Sequence, residues 1–578
     1  MRFAVPQVDV ERRPGGIRIL RCPQPLGHFE RAVGDWLTRW GTQTPERRFL
    51  AERAGEGWRA MTYGDALAAA RRIGASLLAR GLTPETPVAI LSDNSVNHAL
   101  LALGAMHAGI PVAPISPAYS LVSRDHAKLK DLFALLRPGL VFADDPVRFA
   151  PALKAVGAVS TPLDALLENE PDARIDEAFA AISSDSIAKI LFTSGSTGTP
   201  KGVINTHRMI CSNQQTWAQV WPLLDAAPPV MCDWLPWNHT FGGNATFNMA
   251  LRNGGTLYID GGKPAPGLIE TTVRNLRDVA PTLCFNVPRG FDLLLPYLEA
   301  DASFRQSFFS RLDILFYAGA SLPLNLWNRL AALAEREGAT RVAMLSGWGS
   351  TETAPLAACV HYPIDRPGIV GNPPPGVELK LVPAGDKQEV RVRGPNVTSG
   401  YYRDPDLTRE AFDDEGFYRI GDAMRLADQD DPAKGLVFDG RVAENFKLLS
   451  GTWVHAGAVR LAIIAACDPL VQDAVITGDG RDDIGALLFV SAPAIGALGL
   501  SAADVRARLQ QALLALRAAA TGGSSAPTRL LILDEPPSID GGEITDKGYI
   551  NQRAALTRRA AQVEQLYAAG PGVRHEQC

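Results

Sequence analysis

The sequence predicts an α/β protein: a large N-terminal domain of α/β layers with an antiparallel β subdomain, then a smaller α+β unit. Three observations predict it. Strand-like and helix-like runs alternate over residues 28–145 and again over 185–360, the rhythm of parallel α/β layers. Between Val377 and Arg393 the texture changes to apolar–charged alternation, the mark of half-buried antiparallel sheet. After Arg441 the pattern restarts on a shorter scale. The two domains are therefore drawn as residues 1–441 and 442–578.

Within the first layer, Tyr63 to Arg80 repeats apolar residues at helical spacing and Gly81 stops it. Pro87 to Leu91 reads as a short buried strand, Asn97 to Ala108 as a helix and Ile110 to Ile115 as the next strand. Ile187 to Phe192, Gly255 to Ile259, Thr282 to Val287 and Ile314 to Tyr317 are further strands. Val377 to Val382, Glu389 to Arg393 and Gly435 to Phe438 belong to the antiparallel part. The smaller unit has a helix over Val459 to Cys467, strands over Ala474 to Thr477 and Ala486 to Val490, and a helix over Ala502 to Ala520. Thr521 to Ser525 is a loop.

A length of 578 residues excludes a single small module. The formal charge of −5 lacks the basic footprint of a nucleic-acid binder. Seven scattered cysteines without a Cys-x-x-Cys argue against a disulfide framework or structural zinc. MRFAVPQVDVERRPGG has no apolar core of signal-peptide length. No apolar stretch approaches the roughly 18 residues that span a bilayer. The expectation is a soluble cytoplasmic protein with neither membrane nor nucleic-acid partner.

The chemistry concentrates in Leu191 to Val203, LFTSGSTGTPKGV. Hydroxyls (Thr193, Ser194, Ser196, Thr197, Thr199), glycines (Gly195, Gly198, Gly202) and Lys201 follow a buried run. Glycines let backbone approach a ligand closely, while hydroxyls, N–H groups and an ammonium suit a polyphosphate. The nucleotide P-loop pattern fails, because Lys201 follows Pro200 and precedes Gly202. Val203 to Asn205 reads as extended, with a helix from Thr206.

Other fragments are weaker singly. Trp348-Gly349-Ser350-Thr351-Glu352 offers a hydroxyl for phosphate and a carboxylate for a hard cation, although such a run is commonly a capping turn. Tyr418-Arg419-Ile420-Gly421-Asp422 puts a carboxylate after a tight turn, where it can accept from two ribose hydroxyls or serve merely as a turn aspartate. Asn238-His239-Thr240-Phe241-Gly242 holds a histidine among apolar neighbours. Phe316-Tyr317-Ala318-Gly319-Ala320-Ser321 is small enough for a flat base to approach. Gly542-Glu543-Ile544-Thr545-Asp546-Lys547-Gly548 presents a lysine in a glycine-edged loop. Arg289, in Val287-Pro288-Arg289, reads either as a residue that steers an acid or phenol or, more commonly, as half of a surface ion pair.

In this order, over residues 30–555, the fragments resemble the adenylate-forming superfamily of acyl-CoA synthetases, luciferases and peptide-synthetase adenylation domains. The resemblance implies a distorted antiparallel β subdomain and a small mobile α+β C-terminal domain. It implies ATP, Mg²⁺ and coenzyme A as co-substrates and cofactor. Thr193, Ser194, Gly195, Ser196, Thr197, Gly198 and Lys201 would hold phosphates. Thr351 would contact the α-phosphate, Glu352 would carry Mg²⁺, and Trp348 and Gly349 would flank the nucleotide. Asp422 would clamp the ribose with Arg441, and Gly319, Ala320 and Ser321 would lie along adenine. Trp237, His239, Phe241 and Ala318 would meet the acid. Lys547 would serve adenylation, Lys447 thioester formation, and Ala443 the hinge. Trp348 stands where tyrosine is common, Ile420 where threonine is, and Ala443 where Asp or Lys is. Gly440-Arg441-Val442-Ala443-Glu444 to Phe446-Lys447-Leu448, Gly451-Thr452-Trp453-Val454 and Gly542 to Arg553 look like bacterial feruloyl-CoA synthetases. That resemblance implies ferulate or a related aromatic acid as substrate; a homodimer is a possible assembly.

Overall fold

A computed structural model of the chain describes residues 2–194, 200–265, 267–520, 522–545, 550–568 and 570–576. Its first layer is a five-stranded sheet in the order Leu140–Ala143, Val88–Leu91, Val112–Ile115, Ile187–Ser194 and Pro200–Thr206. The first four strands are parallel and the last turns back antiparallel. The four-residue strands here are buried throughout, so their continuous apolar runs are explained by helices on both faces. Helix Tyr63–Ala79 begins at Thr62, whose hydroxyl accepts from the Asp65 N–H at 3.1 Å, and ends before Gly81 at φ +78°. Helix Val96–His107 is buried along nearly its whole length, so it lies between layers.

A second sheet orders Val230–Asp233, Thr256–Ile259, Arg48–Ala54 and Gly57–Thr62, the last strand antiparallel. A third orders Leu283–Asn286, Ile314–Tyr317, Ala343–Gly349 and Leu356–Cys359, again with an antiparallel final strand. These sheets share one continuous apolar core from Val33 to Ile369. The antiparallel subdomain has seven strands, and its two central hairpin strands, Glu378–Ala384 and Lys387–Arg393, are the alternating segments of the sequence.

The smaller unit has its own core, centred on Val459, Ile476, Leu488 and Leu530. Its sheet runs Val471–Thr477, Gly485–Val490, Arg529–Leu533 and Gly572–His575. A separate hairpin pairs Phe446–Lys447 with Trp453–Val454.

Several boundaries differ from the sequence reading. Asp9–Arg12 and Arg18–Arg21 form a hairpin that extends the antiparallel sheet through Arg18–Arg21 beside Glu378–Ala384. Four-residue strands rich in arginine carry too little alternation to be read beforehand. Strand Leu436–Arg441 runs on to Arg441 because Asp422 pairs with it there. Strand Val471–Thr477 starts before Ala474, its onset disguised by Gln472 and Asp473. Among the described residues no helix is long and apolar enough to cross a membrane.

Candidate active site

Strands Ile187–Ser194 and Pro200–Thr206 pair so that Thr193 stands opposite Lys201, and the chain leaving Ser194 returns at Pro200. Gly195, Ser196, Thr197 and Gly198 lie outside the described residues, as does Lys547. Strand Pro200–Thr206 runs into helix His207–Val220, capped by the Thr206 hydroxyl accepting from Met209 N at 3.2 Å. Lys201 and its neighbours are therefore an extended edge, unlike the helix that follows a P-loop.

Residues 396–402 stitch that edge to the Thr351-Glu352 turn. Tyr402 N donates to Gly202 O at 2.7 Å, and Ile204 N to Gly400 O at 3.1 Å. Thr398 N donates to the Glu352 carbonyl at 2.8 Å, and its hydroxyl to Ile204 O at 2.7 Å. Tyr401 sits at the join. Its hydroxyl donates to Glu352 Oε1 at 3.2 Å, and the Lys201 ammonium lies 5.5 Å from its ring centroid. Burial, with the Glu352 charge beside it, pushes the Tyr401 phenol up, so it remains a donor. The fragment Ser399-Gly400-Tyr401-Tyr402 also fits the family pattern in the sequence, but the contacts of Tyr401 with Lys201 and Glu352 join residues too far apart in the chain to be read from it.

Thr351 and Glu352 are themselves buried, in a short turn of three residues. Gly349 precedes it where a Cβ would stand 1.7 Å from Pro355 O, so no other residue fits. Glu352 presents one buried carboxylate, which suits Mg²⁺, an ion that takes one or two carboxylates and its remaining ligands from phosphate and water.

Asp422 lies across from Arg441 on paired strands. Its Oδ2 accepts from Trp348 Nε1 at 2.8 Å, and Arg441 Nε stands 3.5 Å from Oδ1. Oδ1 is buried and, among the described residues, accepts no hydrogen bond, which fits a ribose hydroxyl as its donor. Burial raises the Asp422 pKa, with Arg441 and Trp348 pulling it back. Trp348 is thus anchored in the apolar core of the antiparallel sheet and aims the carboxylate. Ala318 is half-buried at the end of strand Ile314–Tyr317, and Gly319 (φ +87°), Ala320 and Ser321 follow it, exposed.

On the other side, Trp237, Asn238 and His239 are buried and lead into a π-helix, Phe241–Thr246. The Phe241 ring lies 6.0 Å from those of Phe285 and Phe316. Trp237 faces elsewhere: its ring meets His98 at 5.2 Å and Phe247 at 4.9 Å, beside a void of about 10 Å³ lined also by Lys189. A Cβ on Gly242 would stand 2.2 Å from Leu235 O and one on Gly243 would stand 2.3 Å from Trp237 O, so the turn packs backbone on backbone. Buried side chains hold its carbonyls. Lys189 Nζ donates to Gly243 O at 2.6 Å, Gln214 Nε2 to Asn244 O at 2.9 Å, and Asn248 Nδ2 to Gly243 O at 3.2 Å. Burial lowers the Lys189 pKa to about 7.

In the small unit, Ala443 is exposed in the turn Val442–Glu444 that follows Arg441. Lys447 is exposed with its ammonium 4.8 Å from the Trp453 ring. Among the described residues no hydrogen bond or ion pair joins it to Glu352 or Asp422. Arg289 forms an ion pair with Asp292 on the surface.

The sequence model of the AMP-binding enzyme family matches residues 37–402, and that of the AMP-binding enzyme C-terminal domain matches residues 446–570. A feruloyl-CoA synthase of an Amycolatopsis species is 27% identical over 76% of this chain and 86% of its own length. A (methyl-dioxo-octahydro-indenyl)propanoyl:CoA ligase of Rhodococcus jostii is 26% identical over 74% of this chain and 83% of its own. The crystal structure of the adenylation domain of a carboxylate reductase from Mycobacterium chelonae superposes with a TM-score of 0.74 at 20% identity, covering 93% of this chain and 91% of that one. At that identity the likeness establishes the fold alone.

Proposed function

The chain belongs to the AMP-binding enzyme family of adenylate-forming acid–CoA ligases and their relatives, and from that premise we propose that it joins ferulate and related hydroxycinnamates to coenzyme A, converting ATP to AMP and pyrophosphate. The observation that carries the reading is Tyr401, with Lys201 on its ring and Glu352 on its hydroxyl. A cation and a cation-binding carboxylate held at one point are what the meeting of two anions requires. Support for a hydroxycinnamate comes from the fragments around Lys447 and Gly542, from the feruloyl-CoA synthase relative, and from the aromatic wall of Phe241, Phe285 and Phe316.

A carboxylate is a poor acyl donor because oxide would have to leave. In the first half-reaction the acid's oxygen attacks the α-phosphorus and the bond to pyrophosphate breaks. Lys201 and Lys547 supply positive charge to the phosphate oxygens as this happens. The Thr351 hydroxyl donates to an α-phosphate oxygen, and Thr193 with its loop holds the others. Glu352 would hold Mg²⁺, which when bound neutralises phosphate charge. Asp422 accepts from the ribose hydroxyls, and Gly319 to Ser321 let adenine approach. His239, Phe241 and Ala318 orient the acid.

In the second half-reaction the small unit turns about Ala443 and Lys447 takes the place of Lys547. The CoA sulfur attacks the acyl carbon, AMP leaves, and the thiol proton passes to solvent. The cytoplasm, which holds ATP and CoA, is the compartment this chemistry implies.

The test is pyrophosphate release from ATP with a panel of ferulate, coumarate, benzoate and fatty acids. Release with the hydroxycinnamates, and thioester on adding CoA, is the expected outcome. Release only with fatty acids would move the substrate class. Release with none would leave an inactive nucleotide-binding protein and sink the reading.

A further inference from the structure

Away from the nucleotide and acid, the small unit touches the large one through Ile539 and Asp540. The Lys128 ammonium donates to the Ile539 carbonyl at 2.6 Å. The Arg124 backbone N–H donates to Asp540 Oδ2 at 3.1 Å. Ile539 packs against the apolar cluster that contains Tyr119, Leu129 and Phe192, and Phe192 lies on the strand that feeds the phosphate loop. Lys128 also lies 5.7 Å from the Tyr119 ring centroid.

Both halves of this contact are stiff. On the large domain, Asp125 Oδ1 accepts from Ala127 N at 2.9 Å and Ser123 Oγ accepts from His126 N at 3.0 Å, with His126 at φ +53°. On the small unit, the fully buried Glu543 carboxylate accepts from Ser538 N at 3.0 Å and from Arg559 Nε at 2.7 Å. Asn551 N donates to Glu543 O at 2.8 Å, and Ile544 bridges to Ile550. The chain that leaves at Ile544 and returns at Ile550 is therefore braced at its neck. Residues 539 and 540 are thus tied through Ser538 and Glu543 to the described residues Ile544 and Ile550, between which Lys547 lies in the sequence.

We propose that Lys128, with the Arg124–Asp540 contact beside it, is a clasp that holds the small unit in the orientation used for acyl-adenylate formation, Lys128 acting as a positioning residue. The inference rests on the acid–CoA ligase reading. A charged donor on a carbonyl is strong enough to bias an orientation, and a contact this small breaks readily when the unit turns for thioester formation.

The two half-reactions separate this role from a merely structural one. Lys128→Met keeps the stem over Tyr119 and removes the donor. It is expected to lose about tenfold or more in acid-dependent ATP–pyrophosphate exchange. Thioester formation from supplied acyl-adenylate and CoA should change by less than about twofold, and Lys128→Arg should restore exchange. Asp540→Ala moves the same way and carries the test if Lys128→Met does not fold. Amide hydrogen exchange across 538–545 rises in either variant, a readout that needs no substrate. Equal losses in both half-reactions, no loss in either, or unchanged amide exchange would overturn the clasp. A wild-type enzyme inactive in both assays would instead count against the ligase reading, and the amide exchange still decides the clasp.

Discussion

The proposed nucleotide side and the proposed acyl side of the site are built differently. On the nucleotide side, short polar fragments are joined by directional bonds: Tyr401 to Glu352, Trp348 to Asp422, Thr398 to both the turn and the phosphate edge. On the proposed acyl side, the rings of Phe241, Phe285 and Phe316 meet one another at tilted angles. The turn that presents Phe241 is held from behind by Lys189, Gln214 and Asn248. Recognising charge needs particular atoms at particular points, so it leaves a signature in residue type. Recognising an apolar body needs a shaped volume, which many residue types can line.

The sharpest break in this comparison is Glu352→Ala. It should lower acyl-adenylate formation at least about a hundredfold and blunt the magnesium dependence, while thioester formation from supplied adenylate stays near normal. Pyrophosphate exchange across a magnesium titration measures it, and an unaltered titration would remove Glu352 from the metal's ligands. Next comes the Trp348–Asp422 pair. Asp422→Asn should raise KM for ATP by about tenfold, and Trp348→Phe by about fivefold, with small changes in kcat. Since Trp348 acts through the carboxylate, the double variant should be little worse than Asp422→Asn alone. Additive effects would mean that the indole meets the nucleotide by itself.

On the acyl side the effects should be smaller and of another kind. Phe241→Ala should alter the ratio of kcat/KM between hydroxycinnamates and smaller acids by about tenfold and leave KM for ATP within about twofold. A large change in KM for ATP would erase the division between the two sides. The smallest effect concerns Asp233, at the end of the strand that leads to Trp234 and the acyl wall. Burial raises its pKa from 3.8 to about 7, only partly offset by the Thr246 hydroxyl and the Leu235 N–H. The native state therefore keeps a proton that the unfolded chain releases, and stability falls as pH rises from about 4 towards 7. Asp233→Asn should melt a few degrees higher than wild type at pH 8, with the gap closing towards pH 4. A gap independent of pH would show that Asp233 does not titrate there.

The same division governed what could be read from the chain. The order of the layers, the alternating hairpin 378–393 and the extended edge after Lys201 follow from local pattern, and the structure has them. The N-terminal hairpin was illegible, because its strands acquire a reason to exist only beside Glu378–Ala384. Tyr401 was illegible in role, since Glu352 is 49 residues away, and so was the aim of Asp422, 74 residues from Trp348. The resemblance named Trp348 as a nucleotide neighbour; only the fold reveals the bond through which it acts on Asp422. Trp237 and Phe241 stand close in the chain yet face different neighbours, because a π-helix begins at Phe241 and no spacing rule announces one.

That π-helix, Phe241–Thr246, carries a longer hydrogen-bonded ring than the ordinary helix Phe247–Arg252 that continues it. Excising a single residue there would restore 3.6-residue winding, and because five residues of the tighter coil turn the chain about as far as six of the wider one, the flanking segments would keep their phase while the wide turn itself disappears. Substitutions at Phe241 resize the lining, whereas a change in chain length would remove or enlarge the wide turn that presents it. For an engineer seeking new acids, insertion and deletion libraries across these six positions explore a dimension that point mutagenesis never visits.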